Sequence, residues 1–206
     1  TPASVNDGIV AIPLMKKFKE YYSDTFKIKH CIMDSGYDIQ DNYNYIINEF
    51  CAQPIIAYNK RGSFAPPEGL NERLHPICSM GYELAYWGKD GDYLKFRCPH
   101  VLGKVDCPHG SIWCSSSNYG YCLKVNYKKN NRYFSFPIRS SQDWQKLYNK
   151  RTSIERCNSR LKDYLNTDNL RSPGIKKAKV FALLNCITLV AGTIAVNNIK
   201  SLPKVA

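Results

Sequence analysis

Residues 26–58 carry the pattern that most restricts the fold. Phe26 to Met33 reads as a strand, mixed at first and then apolar, and it runs straight into Asp34-Ser35-Gly36. Ile39, Tyr43, Ile46, Ile47 and Phe50 follow at helical spacing. Cys51 to Tyr58 is a second apolar strand, closed by the turn Asn59-Lys60-Arg61-Gly62. Strand, helix, strand in this order implies a parallel pair joined by a right-handed crossover. Asp34 then falls at the carboxyl end of the first strand, the edge where open α/β sheets bind ligands. The plain alternative for Asp34 is a helix cap, a common use of Asp after a strand.

Ile9 to Tyr22 reads as a helix with Pro13 near its start and Lys16, Lys17 and Lys19 on a wet face. Residues 62–138 are rich in Tyr, Cys, Pro and Gly. There Tyr82–Trp87 and Asp92–Arg97 flank an Asp90-Gly91 turn, and Tyr121–Tyr127 and Arg132–Phe136 flank Lys128-Lys129-Asn130-Asn131. Both look like hairpins, so this stretch reads as a β-rich insertion. Ser140 followed by Asp143 is a capping signal for a helix over about 141–164. Asn166–Asn169 and Pro173-Gly174 end it, and a helix apolar nearly all round runs from Ile175 to Val196. Within it Val180–Val196 is uncharged, but that length lies at the lower limit for crossing a bilayer. Asn185, Thr188 and Thr193 interrupt it, so the reading taken is a buried helix and no membrane. The expected organisation is an α/β core over 1–61 and 138–196, an insertion over 62–137 and a tail over 197–206.

The hydrophobic fraction of 44% suits a globular chain and excludes collagen-like or wholly disordered ones. Nine cysteines, an odd number set among apolar residues, suit a reduced cytosolic protein. Lys and Arg number 29 against 17 Asp and Glu, a net charge of +12. That points to a polyanionic partner, nucleic acid before an anionic membrane surface. Between Lys124 and Lys162 eleven Lys or Arg face only Asp143 and Glu155, a local net of +9. Tyr127, Tyr133, Trp144 and Tyr148 lie among them and could pack against sugar or bases. A solvated basic helix is the bland reading of the same charges.

Tyr148, Arg151, Glu155 and Lys162 add a sharper pattern. On one continuous helix, at about 100° per residue, they share a stripe about 60° wide. A carboxylate in a row with two cations and a phenol suits a surface that holds phosphate beside a metal.

This Tyr-x2-Arg-x3-Glu-x6-Lys spacing resembles the Tyr-Arg-Glu-Lys signature of bacterial insertion-sequence transposases with a DDE catalytic triad. The whole stretch Trp144–Lys162 is similar to that family. Met33-Asp34-Ser35-Gly36-Tyr37-Asp38 resembles the surroundings of its second Asp, and Thr1-Pro2-Ala3-Ser4-Val5-Asn6-Asp7 the segment after its first. The resemblance covers most of residues 1–58 and 137–196. It implies an RNase H-like core in which Asp34 and Glu155 are two of three carboxylates holding Mg2+ or Mn2+. Paired divalent ions would activate a water or 3′-hydroxyl and stabilise the leaving oxygen. Arg151 and Lys162, with Arg156 and Arg160, would grip DNA phosphates, and Tyr148 would position the strand. A β-rich insertion between the second Asp and the Glu also fits the family.

The resemblance further implies phosphodiester hydrolysis and strand transfer on double-stranded DNA, at transposon ends and target. A homodimer on DNA and a cytoplasmic, nucleoid-associated prokaryotic setting come with it. The first Asp would precede Thr1, so the expectation is a C-terminal portion of a transposase, inactive by itself. Asp7 is the nearest candidate, but its context matches the segment beyond that first Asp. The rival is a catalytically inactive DNA-binding remnant.

Cys98-Pro-His100, Cys107-Pro-His109, Cys114 and Cys122 crowd into the insertion, with His75 and Cys78 upstream. Cys98, Cys107, Cys114 and Cys122 could hold a structural Zn2+. Buried thiols beside surface histidines are the alternative, because no Cys-x-x-Cys pair is present. Trp87 or Trp113 could stack on an extruded base, and packing within hairpins is the ordinary use of such side chains.

Overall fold

In chain order the elements are α1 (Asp7–Tyr22), β1 (His30–Met33), a 3-10 turn (Ser35–Tyr37), α2 (Gln40–Glu49), β2 (Gln53–Ile56), β3 (Ala85–Asp90), β4 (Tyr93–Arg97), β5 (Cys122–Asn126), α3 (Gln142–Tyr148), a second 3-10 turn (Asn149–Arg151), α4 (Thr152–Asp163) and α5 (Ile175–Ser201). The structure, a computed structural model, describes residues 7–62, 65–110, 112–170 and 173–201. The chain divides into two units, Thr1–Lys150 and Arg151–Ala206. The architecture is mixed α/β, with small sheets and helices.

In the first unit β1 and β2 pair in parallel, His30 opposite Gln53 and Met33 opposite Ile56, with α2 as the crossover. Both strands are shorter than the apolar pattern suggests. The Phe26 N–H donates to the Tyr22 carbonyl at 2.9 Å, so the closing turn of α1 takes the backbone that would have begun β1. Ala11 and Met15 of α1, Tyr43 and Ile46 of α2, and Ala52 and Ile56 form one core cluster. Those positions recur every three or four residues along each helix, which is how an amphipathic helix covers a sheet. At Gly8 a Cβ would meet the end of the Ile39 side chain and come within 3.0 Å of the Gly36 carbonyl oxygen, so α1 begins close against the crossover. Cys31 sits among these groups, and burial pushes its thiol up to about 11.

A buried polar network holds this unit together. Asp38 is 0% exposed. Its Oδ1 accepts from the Tyr43 hydroxyl at 2.8 Å, and its Oδ2 accepts from the Asn59 N–H at 2.9 Å. Arg132 donates to the same Oδ2 through Nε at 3.2 Å and Nη2 at 3.1 Å. Burial alone would lower the Arg132 pKa, but the hydrogen bond and charge of Asp38 outweigh it and raise the pKa above the usual value. Arg139 donates to the Tyr43 hydroxyl at 2.9 Å, to the Ile56 carbonyl and to the Tyr133 carbonyl.

β3, β4 and β5 form an antiparallel sheet in that order, over a second core of Leu84, Leu94 and Phe96. The turn at Asp90-Gly91 joins β3 to β4 as the sequence indicates. The register slips between Tyr86 and Gly88, leaving Trp87 as a bulge beside a glycine at φ +124°. β5 pairs with β4 instead of with residues 132–136. That second expected hairpin does not form. The Tyr133 and Phe134 N–H groups bond back to the Asn130 carbonyl at 3.1 and 2.8 Å, and no strand can use them.

The single helix expected over 141–164 is three elements. Ser141, not Ser140, caps α3, accepting from the Trp144 N–H at 3.2 Å. Asn149 ends α3 and begins the 3-10 turn that precedes α4. Trp144, 6% exposed, anchors α3.

In the second unit α4 has no buried residue. Asn185 of α5 donates to the Leu165 carbonyl at 3.1 Å and to Thr167 Oγ1 at 3.0 Å, tying α5 to the segment that ends α4. Thr188 and Thr193 bond back to the carbonyls of Leu184 and Leu189, a way for a helix to satisfy hydroxyls in apolar company. The expectation of a buried helix needs correction. Val180, Leu183, Leu184, Ile187, Val190 and Ile194 are all exposed. A helix apolar on every side cannot be enclosed by one neighbouring helix, and α4 is the only other helix of this unit among the described residues. Ile175–Asn198 is long and apolar enough to cross a membrane by length and composition.

Two outcomes test this packing. Arg132→Ala leaves the Asp38 carboxylate buried without its cation and costs about 3–5 kcal/mol in urea unfolding. Arg132→Lys restores only part of that, because an ammonium lacks the planar fork. Iodoacetamide should modify Cys31 roughly 100-fold more slowly at pH 8 in the native chain than in urea. Since the folded state holds that proton more tightly, its contribution to stability is complete below the ordinary thiol value of 9.0 and falls as pH rises toward about 11.

Candidate active site

Asp34 follows the last residue of β1 in extended conformation, φ −78° and ψ 179°. Its Oδ1 accepts from the Gly36 N–H at 2.9 Å, so the carboxylate caps the 3-10 turn while its side chain stays exposed. The turn is held from three directions. Asn59 Nδ2 donates to the Ser35 carbonyl at 3.1 Å, Asn42 Nδ2 to the Tyr37 carbonyl at 2.9 Å, and the Arg61 guanidinium to the Asp38 carbonyl. An acidic group is thereby fixed at the carboxyl edge of a parallel pair, the place the sequence assigned it. The cap reading also holds, and one carboxylate oxygen suffices for it.

Glu155 lies in the first turn of α4, where a negative charge complements the helix dipole. Its Oε1 pairs with Arg151 Nη1 at 2.9 Å, with both side chains partly exposed. Such a surface pair contributes at most about 1 kcal/mol, so it restrains the two side chains more than it stabilises the fold. Arg156, Arg160 and Lys162 are exposed on the same helix, the last two in its final turn. Glu155 and Lys162, seven residues apart within α4, keep the shared face that the wheel predicts. The wheel does not carry through to Tyr148, because the 3-10 turn intervenes. Tyr148 closes α3 and stacks on Trp144 with centroids 4.8 Å apart and planes at 12°. Asp34 and Tyr148 belong to the first unit, and Arg151, Glu155, Arg156, Arg160 and Lys162 to the second.

Several residues counted as nucleic-acid contacts have partners within the fold. Arg132 and Arg139 are in the Asp38 network, and Lys128 pairs with Asp92 at 2.9 Å. Trp144 is buried, Tyr133 packs on Tyr58, and Tyr127 packs on Phe136 beneath Lys89. Trp87 lies under the Arg97 guanidinium, and Trp113 stacks on His109. Both ring nitrogens of His75 are engaged: Nε2 bonds the Leu84 carbonyl at 2.6 Å and Nδ1 the Ser140 hydroxyl at 3.0 Å. Cys122 is exposed on β5, apart from the cavity that Cys98, Cys107 and Cys114 line. Among the described residues no three His, Cys, Asp or Glu gather as an ion site. Sequence reasoning missed Asp38, Asn59 and Arg61 as supports of the Asp34 turn. Their one sequence signal was proximity to the two strand ends.

A family model described as the transposase DDE domain matches residues 1–191. No curated protein and no solved structure matches the chain significantly. The match spans the parallel pair with its acidic edge, the antiparallel sheet, the basic helix and most of α5. On that extent, the chain belongs to the transposase DDE domain family.

Proposed function

We propose that this chain carries the strand-cleaving and strand-transferring machinery of a DNA transposase, with Asp34 and Glu155 as two of its acidic catalytic residues. Family membership over residues 1–191 supports it, and the observation that carries it is an exposed carboxylate fixed at the carboxyl edge of a parallel pair. The reading includes an RNase H-like core over 1–61 and 138–196, with 62–137 inserted in it.

Asp34 and Glu155 offer hard carboxylate oxygens, the donors that Mg2+ and Mn2+ prefer. A bound divalent ion supplies Lewis acidity to activate the attacking hydroxyl and to stabilise the leaving oxygen. The chain's own groups do the rest. Asp34 holds its position through the Gly36 N–H, and its carboxylate would be a preset ligand for such an ion. Arg151 keeps Glu155 oriented until phosphate competes for the guanidinium. Arg156, Arg160 and Lys162 neutralise backbone phosphates along α4. Tyr148, backed by the buried Trp144 ring, presents a flat surface to the bound strand. The partners are transposon ends and target duplex, bound by two copies of the protein, in the cytoplasm where the nucleoid lies.

A second reading, DNA binding without cleavage, draws on the fact that each carboxylate already has a structural job, Asp34 as a cap and Glu155 as the partner of Arg151. Asp34→Asn separates the two, because Asn caps as well as Asp but is a far poorer metal ligand. In the protein as its gene encodes it, Mg2+-dependent nicking of duplex DNA should fall by about 1,000-fold or more in Asp34→Asn and in Glu155→Gln, with the unfolding midpoint little changed. Undiminished nicking in either variant rejects the catalytic assignment, and absence of nicking in the parent favours the remnant. Binding supplies a separate measure. Arg156→Ala and Arg160→Ala should each lower the slope of log K against log salt by about 0.9, equally for any DNA sequence.

A further inference from the structure

Four cysteines that no part of the proposed reaction uses converge on one small cavity. It has a volume of about 10 Å3 and is lined by Cys78, Cys98, Cys107 and Cys114 with His100, whose Nδ1 accepts from the Cys107 N–H, and with Met80, Trp113 and other mainly apolar neighbours. That is the volume of a single water-sized sphere, too small for any organic ligand. Between β4 and β5 the chain runs from residue 98 to 121 with no helix or strand among the described residues. Segments of that length in a folded domain are normally held by something other than backbone ladders.

The local geometry repeats. Cys78 accepts at its carbonyl from the Gly81 N–H at 2.8 Å, and Cys107 from the Gly110 N–H at 3.0 Å. Both are Cys-x-x-Gly turns, with glycine φ of +80° and +62°. Cys98 is 5% exposed at the end of β4, its N–H on the Tyr121 carbonyl at 2.8 Å, which brings the two ends of the long segment together. The cavity thus joins a turn before the sheet, the end of a strand and two points in the connection that follows.

We propose that Cys78, Cys98, Cys107 and Cys114 bind one structural zinc ion that fastens the 98–121 connection to the antiparallel sheet. Four thiolates are the donor set of closed tetrahedral zinc sites. Cys122, counted with this group from the sequence, is replaced by Cys78, because Cys122 points from an exposed strand position outside the cavity. Among the described residues no three of these thiols stand within reach of one ion, so the proposal requires that binding draw them inward. The inference stands apart from the catalytic reading and does not depend on it.

Metal content of the purified full chain, without chelators, tests this. Wild type and Cys122→Ser should each hold about one zinc per chain, and Cys78→Ser, Cys98→Ser, Cys107→Ser and Cys114→Ser well under half. Less than about a tenth of a zinc in wild type overturns the proposal, as do disulfides among these four cysteines in the reduced-purified chain. Zinc lost in Cys122→Ser but kept in Cys78→Ser overturns the ligand set. Where a serine variant does not fold, wild type loaded with Co2+ gives the answer. Thiolate-to-cobalt charge transfer with tetrahedral d–d bands supports four sulfur ligands, and their absence refutes them.

Discussion

The first unit depends on a carboxylate that is never wet. Asp38 is wholly buried and 94 residues away in sequence from Arg132, the cation that compensates it. A buried carboxylate without such a partner would cost several kcal/mol, so the network is satisfied or the turn after β1 does not hold. Tyr43, Asn59 and Arg139 complete it, reaching from α2, from the end of β2 and from the segment before α3. The long excursion through the antiparallel sheet must therefore return to the parallel pair before α3 begins.

That constraint bears on the candidate site. Asp34 lies four residues before Asp38, and the bonds that fix Asp38 also fix the 3-10 turn that Asp34 caps. The geometry of an exposed acidic side chain is thus set by a buried one. On α4 the logic is opposite. No residue of that helix is buried, and its charges are held by short-range pairing and by the dipole. One carboxylate is rigid and the other restrained only by Arg151.

Much of this was legible beforehand, for local reasons. The β1–α2–β2 unit is carried by helical spacing between two apolar runs, and the Asp90-Gly91 turn by residues that tolerate its backbone. The position of Asp34 followed from the order of elements alone. Where the reading failed, a distant or competing bond decided. Phe26 was claimed by α1, Tyr133 and Phe134 by the Asn130 carbonyl, and the helix over 141–164 was divided at Asn149. Arg132, Arg139 and Trp144 take partners in the fold that residue type and local charge density do not reveal.

The sequence by itself determined the family, the parallel strand–helix–strand unit, and which acidic residue stands at its carboxyl edge, because periodicity and turn chemistry act over a few residues. The tertiary structure alone decided which cations belong to the fold. It also decided which four of nine cysteines share a cavity, and that β5 pairs with β4. Those outcomes depend on where distant segments meet, and the free energy of burying a charge or aligning a strand is set by the partner that arrives, not by the residue that waits.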